Sequence, residues 1–222
     1  MPRKTVQLLP VLVVLSHAAG WVQAETGIVV SLGPHPSAET AGHAEAQVDW
    51  LDADTRDDTV VTECFAALEL RRVLRQATNR IGDFAIHDDD APPPGELILV
   101  GGPASNATSR RMASALGLDD EPLARLGPEA HRIRSAVVDG RRVTLIAGGG
   151  RVGTLYGVYD FLYRLGCRWL APGEANEEIP RVTEIPDLDV TERPSFATRG
   201  FHAWEFIRGQ EADKWQAMVR PP

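Results

Sequence analysis

One continuous stretch decides the fold of this chain: residues 131–166 read HRIRSAVVDGRRVTLIAGGGRVGTLYGVYDFLYRLG. The Asp139-Gly140 pair lies between two segments of strand-forming composition. Both central residues of a type I′ turn need positive φ, which aspartate and glycine tolerate. The stretch therefore predicts a β-hairpin with strands at 131–138 and 141–147.

A helix is predicted directly after this hairpin. The second strand runs into three glycines, residues 148–150, and apolar side chains then recur at helical spacing until Gly166 ends the pattern. Asp160 and Arg164 form an outward i,i+4 pair that contributes only ~0.3 kcal/mol, so burial of the apolar stripe holds the helix on its sheet. The stripe consists of Leu155, Val158, Tyr159 and Leu162.

The flanking segments extend this pattern to a whole domain. A second amphipathic helix is predicted up to Thr78, with an apolar face that includes Leu70 and Leu74. The expected fold class is α/β, an α+β sandwich in which a mixed β-sheet carries two main helices on one face. The smaller predicted elements are strands at 26–32, 82–87 and 97–100, a brief helix at 108–116 followed by Gly117, and an edge strand or extended linker at 179–190.

Composition and the N-terminus exclude several classes of protein. The chain has 222 residues and a net charge of -8, so no basic surface exists to neutralise phosphates and no nucleic-acid partner is expected. Arg3 and Lys4 precede an apolar stretch, and Ala24 ends a segment with the residues that a signal peptidase reads. We expect residues 1–24 to be a signal peptide. The mature protein is then exported, periplasmic or extracellular, with no membrane association after cleavage.

The glycine run satisfies the G-x-G-x-x-G pattern of dinucleotide-binding turns at residues 148–153. Three observations weigh against a bound cofactor: the preceding strand belongs to a hairpin, Glu174 follows a Pro-Gly turn instead of ending a strand, and the chain carries an export signal. We therefore expect no dinucleotide cofactor. The glycines are expected to let helix and sheet approach closely.

The remaining polar motifs lack the spacing of a metal site or an activated nucleophile. The group His87-Asp88-Asp89-Asp90 and the aspartates between residues 52 and 58 are expected to be solvated loops. Asn106 begins a glycosylation sequon on a predicted loop. Cys64 and Cys167 fit either a disulfide or two buried free thiols. No catalytic, metal-ligating or cofactor-binding residue is assigned.

Several blocks of sequence together carry a family resemblance. The blocks are residues 66–74, 153–162, 165–169 and 179–180, followed by Arg193-Pro194-Ser195-Phe196. They resemble the N-terminal domain of family-67 α-glucuronidases and family-20 β-hexosaminidases. The resemblance covers most of residues 60 to 205, and the order of the blocks is more specific than any block alone. It implies a mixed sheet with two helices, placed before a (β/α)8 barrel that performs the hydrolysis.

The resemblance also implies one substrate-binding residue, Arg199. In the family-20 pattern the matching arginine contacts sugar hydroxyls in the active site. This chain departs from that pattern, because Trp204 with Glu205 beside it stands where an aspartate is expected, and the later arginine is displaced to Arg208. A structural role for Arg199 therefore stays open.

Length decides what this chain is expected to do. A (β/α)8 barrel needs ~250 residues, far more than follow Pro194, so the catalytic carboxylates are expected to lie beyond residue 222. We expect a non-catalytic accessory domain of an exported glycoside hydrolase of carbohydrate degradation, with the barrel as its partner in the same polypeptide. The alternative is a free-standing secreted module that binds glycans or proteins. The expected domains are 1–24, signal peptide; 25–190, accessory domain; and 191–222, linker and truncated barrel start.

Overall fold

The structure is a computed structural model that describes residues 25–118, 123–196, 198 and 199. The predicted signal peptide, residues 1–24, lies outside the described residues. The same holds for residues 200–222, which contain most of the predicted barrel start.

Strands and helices alternate through the described part of the chain. The strands are β1 (Thr26–Val30), β2 (Ile86–Asp88), β3 (Glu96–Val100), β4 (His131–Val138), β5 (Arg141–Gly148), β6 (Arg168–Trp169), β7 (Glu177–Glu178) and β8 (Asp189–Glu192). The α-helices are α1 (Ala38–Gly42), α2 (Thr55–Thr78), α3 (Ala107–Arg111) and α4 (Arg151–Arg164). Short 3-10 helices occupy Glu45–Gln47, Leu123–Leu126 and Glu174–Asn176.

Six of these strands form one mixed sheet in the order β2-β1-β3-β5-β4-β8. The first four strands in this order are parallel to one another, whereas β4 is antiparallel to both β5 and β8. Strands β6 and β7 pair separately. The α/β class with a mixed sheet, predicted from the sequence, is confirmed.

The two long helices, α2 and α4, pack on the same face of the sheet, as predicted. Leu70 and Leu74 of α2 and Phe161 of α4 are fully buried against alternate side chains of the central strands. The opposite face is covered by the segment around α3 and the 3-10 helix that follows it, through Leu116 and Leu123 among others. Because both faces are covered, successive side chains of the two central strands are buried, at residues 97–100 of β3 and 143–147 of β5.

The predicted hairpin is confirmed, but its surroundings differ from the expectation. Asp139 and Gly140 have φ values of 51° and 77°, as a type I′ turn requires. Strand β5 pairs with β4 in the hairpin and also with β3 in parallel register, from Leu97↔Val143 onward. Strand β5 still opens no βαβ unit, because its two sheet neighbours, β3 and β4, both precede it in sequence, and the strand that follows α4 in this sheet, β8, lies beyond β4. The observation that weighed against a dinucleotide at the glycine run therefore holds.

Three smaller elements differ from their predicted bounds. The strand predicted at 82–87 begins later in the structure, as β2 at Ile86. Phe84 is buried with φ 62°, and this positive φ interrupts the extended conformation before β2. The helix predicted at 108–116 ends at Arg111, and Gly117 with φ 65° closes a series of turns instead. Strand β8 crosses the predicted boundary at residue 190 and extends the sheet to Glu192.

The acidic segments are less solvated than predicted. Asp58 is 3% exposed and pairs with Arg151 of α4 at 3.1 Å. Asp54 caps α2 by accepting from the N–H of Arg56. Asp89 is largely buried and accepts from the N–H of Ala107 at the start of α3. The expectation of solvated loops is therefore wrong for Asp58 and Asp89, whereas Asp54 caps its helix from an exposed position.

Candidate functional site

A large cavity lies at the carboxyl ends of the parallel strands. It has a volume of about 860 Å³, and its lining includes Ser31 after β1, Gly102 after β3 and Gly148 at the end of β5. In open α/β sheets, ligands bind in the crevice outside the carboxyl ends of the strands, where connections leave to opposite faces. Here α2 leaves β1 for one face and α3 follows β3 on the other. The cavity therefore occupies the usual ligand position of such a sheet.

Two helices begin at this cavity. Thr55 and Arg56 of α2 and Arg151 of α4 line it, together with Gly150, the N-cap of α4. No side chain caps α4, and the N–H groups of Gly150 and Arg151 make no hydrogen bond to the described residues. Unpaired N–H groups at a helix start favour oxygen acceptors and negative charge.

A buried carboxyl group, Glu63 of α2, also lines the cavity. Its side chain is 2% exposed, and its Oε1 accepts hydrogen bonds from the hydroxyls of Ser105 at 3.1 Å and Thr154 at 3.0 Å. Its Oε2 has no partner among the described residues. Burial raises the pKa of Glu63 to about 7. The carboxyl group is therefore mostly protonated below about pH 7, and in that form it can donate a hydrogen bond.

The carboxyl group of Glu63 fits at this position because Gly101 has no side chain. Gly101 has φ 103°, and a Cβ there would lie 2.6 Å from Oε2 of Glu63. The Thr154 hydroxyl that donates to Glu63 also accepts from the N–H of Gly148 at 3.1 Å. Glu63 therefore links the ends of β3 and β5 to α2.

The rim of the cavity carries two arginines. Arg151 pairs with Asp58, and its guanidinium lies 5.3 Å from the ring centroid of Trp50. Arg56 is exposed and pairs with Asp54 at 2.6 Å. Both guanidinium groups belong to the first residues of the two helices, and each is already paired with an aspartate.

The glycine run packs against the chain itself, as expected. A Cβ on Gly149 would overlap the carbonyl oxygen of Gly127, and one on Gly153 would overlap that of Ala130. Glu174, the acidic residue at dinucleotide-binding distance, lies in a 3-10 helix outside the six-stranded sheet. It is therefore not at the end of a neighbouring parallel strand, where it would bind a ribose.

We therefore keep the prediction that the chain binds no dinucleotide. Calorimetric titration with NAD, NADP and FAD is expected to give only the heat of dilution, because the residue that would bind the ribose is misplaced. A micromolar dissociation constant that is lost in Gly150→Val would contradict this prediction.

Arg199, the predicted substrate-binding residue, lies apart from the large cavity. Its guanidinium donates to Glu129 at 2.6 Å and to the carbonyl of Phe196 at 2.9 Å. Glu129 also lines a surface cavity of about 210 Å³ together with His131 and Tyr156. The structure therefore does not bring Arg199 together with Glu63, and its role at a sugar site stays a prediction.

The two cysteines are free and buried, which decides the alternative left open by the sequence. Cys64 donates to the carbonyl of Ser31 at 3.3 Å, and burial raises the pKa of its thiol to about 12. A thiol with so high a pKa is a poor nucleophile at neutral pH. Among the described residues no cluster of three or more metal-ligating side chains occurs, including around His87.

The sequon at Asn106 begins in the loop between β3 and α3, as predicted, but its side chain is not exposed. Asn106 is fully buried, and its amide donates to the carbonyls of Val29 at 3.2 Å and Val100 at 3.1 Å. Its Oδ1 caps α3 by accepting from the N–H of Ser109. The side chain joins β1 and β3 and leaves no room for a glycan.

We predict that Asn106 stays unmodified in a host that glycosylates exported proteins. Attachment of a glycan would break these three hydrogen bonds and expose a buried site, so folded protein is expected to carry no added mass there. Peptide mass spectrometry after glycosidase treatment measures the occupancy. Substantial occupancy in folded, soluble protein would contradict the prediction.

Comparison with known proteins adds no family to this description. No protein-family model matches the chain, and no protein with curated annotation matches it. Among the described helices, none is long and apolar enough to cross a membrane.

Sequence reasoning missed Glu63, the central residue of the cavity. A local signal existed, because Glu63 precedes the apolar face of α2 that continues through Ala66, Ala67 and Leu70. A lone acidic residue on a buried helix face must find partners or lose its charge. That pattern marks it as a candidate functional residue.

Proposed function

We propose that residues 25–190 are the non-catalytic accessory domain of an exported glycoside hydrolase. Its partner is a catalytic (β/α)8 barrel in the same polypeptide, and the substrate of the whole protein is a carbohydrate. The proposal rests on the family resemblance and on how the blocks that carry the resemblance pack together.

One cluster of contacting side chains supports this proposal. Glu69 and Arg72 come from the first block, Tyr159 from the second and Trp169 from the third. Arg72 bonds to Glu69 at 3.0 Å and to Glu177 at 2.8 Å, and the indole of Trp169 donates to Glu177 at 3.2 Å. Tyr159 stands edge-on to Trp169, with ring centroids 5.0 Å apart. Residues about 100 positions apart thus form one contact network.

The fourth block joins the same region. Pro180 lies against Gly166, whose φ is 98°; a Cβ there would be 3.1 Å from the Pro180 ring. The blocks are therefore parts of one folded unit. This supports a shared domain, while the hydrolytic partner is inferred from the resemblance.

The first experiment measures hydrolysis by the 222-residue chain. Chromogenic hexosaminides and glucuronides are expected to stay at background, because hydrolysis usually needs two carboxyl groups about 5 to 10 Å apart on either side of the bond. The described lining of the large cavity supplies one carboxyl group, Glu63. Turnover that copurifies with the chain and vanishes in Arg199→Ala would contradict a non-catalytic role.

The second experiment reads the gene beyond codon 222 and expresses the whole frame. The proposal expects a barrel-like continuation and hydrolysis by the whole protein. In that protein, Arg199→Ala is expected to raise KM, with Glu129→Ala as the matched control because it removes the same ion pair. Equal effects of the two variants would indicate a structural pair instead of a sugar contact. A frame that stops after Pro222 would favour the free-standing module.

That second candidate function, a free-standing binding module, is favoured by the cavity lined by Glu63. A volume of about 860 Å³ is within the range of small-molecule sites. Glycan binding by the chain alone, combined with a frame that ends, would establish it in place of the accessory role.

A further inference from the structure

We propose that the cavity at the carboxyl ends of β1, β3 and β5 binds a small hydroxylated organic anion. The ligand's carboxylate or phosphate group lies at the start of α4, beside Arg151, and its body extends along the cavity. This inference goes beyond the accessory role and does not depend on it, because it rests on residues of this domain alone.

The hydrogen-bond donors that line the cavity indicate that its ligand carries an anionic group. The free N–H groups of Gly150 and Arg151 begin a helix of 14 residues, and the Arg151 guanidinium adds charge. The start of α2 also borders this space through Thr55 and Arg56, but Asp54 caps it and its first turn is acidic, so the free backbone donors of the site are those of α4. Such an arrangement stabilises an oxyanion through both hydrogen bonds and helix dipoles.

Glu63 points to a ligand independently of the helix ends. It lines the cavity, is 2% exposed and leaves Oε2 without a partner among the described residues. A buried polar atom of this kind costs stability unless something pairs with it. In its neutral form Glu63 donates from Oε2, so it adds another donor for an oxygen-rich ligand.

The remaining lining residues indicate the chemical nature of the rest of the ligand. Hydroxyl groups line one part of the cavity and match a hydroxylated molecule, whereas apolar side chains line another and match carbon atoms. The hydroxyl-bearing residues are Ser31, Thr55, Thr59 and Ser105, and the apolar residues include Val60, Leu118 and Leu123.

The test is isothermal titration of the 222-residue chain with three probes. Gluconate supplies a carboxylate, glycerophosphate supplies a phosphate monoester, and glucose is the neutral control. At least one anion is expected to bind with a dissociation constant of about 1 mM or lower, and glucose is expected to bind at least about tenfold more weakly. The stronger anion identifies which oxyanion the site prefers.

Two variants locate the binding. Arg151→Gln is expected to weaken the anion about tenfold or more, because it removes a charge-assisted contact. The matched control is Arg142→Gln, since Arg142 is similarly buried, also forms one ion pair, and lies at the opposite end of β5. Ala104→Trp fills the mouth from an exposed position and is expected to abolish binding even if loss of Arg151 perturbs folding.

The affinity for gluconate is also expected to depend on Glu63. Ionisation of Glu63 places a negative charge beside the anion, so binding weakens as pH rises from about 5.5 to about 8.5. Glu63→Gln keeps a neutral donor and is expected to flatten this dependence. The other titratable or charged groups that face this region are Arg56 and Asp58 of α2, Cys64 beside Glu63, Asp89 before α3, and Arg151 of α4.

Four results would overturn the proposal. They are the absence of binding by both anions at about 10 mM, equal binding of glucose, unchanged binding in Ala104→Trp, and equal losses in Arg151→Gln and Arg142→Gln. Weaker binding of gluconate at low pH than at high pH would show that Glu63 does not contact the anion.

Discussion

Replacement of Gly149 by alanine is expected to lower the free energy of unfolding by at least about 3 kcal/mol. The added Cβ would overlap the carbonyl oxygen of Gly127 and approach that of Leu123 at 2.8 Å. Both atoms belong to the backbone, so no side-chain rotation relieves the contact. Domains of this size have only about 5 to 15 kcal/mol of stability, and the variant is expected to lose a large part of it.

Urea denaturation measures this effect, with Gly82→Ala as the matched control. Gly82 has open space around its Cα, and its φ is not in the left-handed region, so alanine there is expected to change stability by less than about 1 kcal/mol. Gly149 also lacks a positive φ, so its effect isolates the close approach of the glycine run to the backbone of Leu123 and Gly127. Equal stability of the two variants would mean that the glycine run is not required for packing.

The hairpin and the two long helices were predictable because their signals are local. Asp139-Gly140 fixes a turn within two residues, and the apolar stripe of α4 repeats within one helix. Element bounds were less predictable where one residue breaks the pattern, as Phe84 does with its positive φ. Local sequence therefore predicted the class of fold and the main packing, but not every boundary.

The cavity was not predictable from spacing, because it is formed where separate strand ends meet. Its walls come from segments after β1, β3 and β5, which are distant in sequence and adjacent only in the sheet order. Asn106 shows the same limit: a sequon predicts an exposed loop, whereas the same side chain buried between Val29 and Val100 acts as a cap. The walls of the cavity and the buried position of Asn106 both depend on contacts between residues that are distant in sequence.

The family resemblance and the cavity concern different parts of the domain. The resembling blocks meet at the cluster of Arg72, Tyr159 and Trp169, and none of these residues lines the cavity. The glycine run, in contrast, both packs α4 onto the chain and lines the cavity through Gly148 and Gly149. An accessory role for the body of the domain is therefore compatible with a ligand at its edge.

Glu63→Gln is expected to make the protein more stable than wild type at about pH 8, by on the order of 3 kcal/mol, and equally stable near about pH 4. Burial raises the pKa of Glu63 from 4.5 to about 7 in the folded protein. The folded state therefore holds a proton that the unfolded state releases between these values. The stabilisation is fully present below about pH 4.5 and is lost as pH rises through about 7. Glutamine does not ionise, and its Oε1 can accept from Ser105 and Thr154 as the carboxyl group does.

Urea denaturation at several pH values, compared between wild type and variant, measures this difference. Glu39→Gln is the control, because the hydrogen bond from Arg71 lowers the pKa of exposed Glu39 and its contribution changes at lower pH. That variant is expected to keep the wild-type decline between about pH 5 and about pH 8. If Glu63→Gln shows the same decline as wild type, the Glu63 carboxyl group is ionised throughout this range. Its Oε2 then accepts hydrogen bonds instead of donating them, and the preference of the cavity for anions would be contradicted as well.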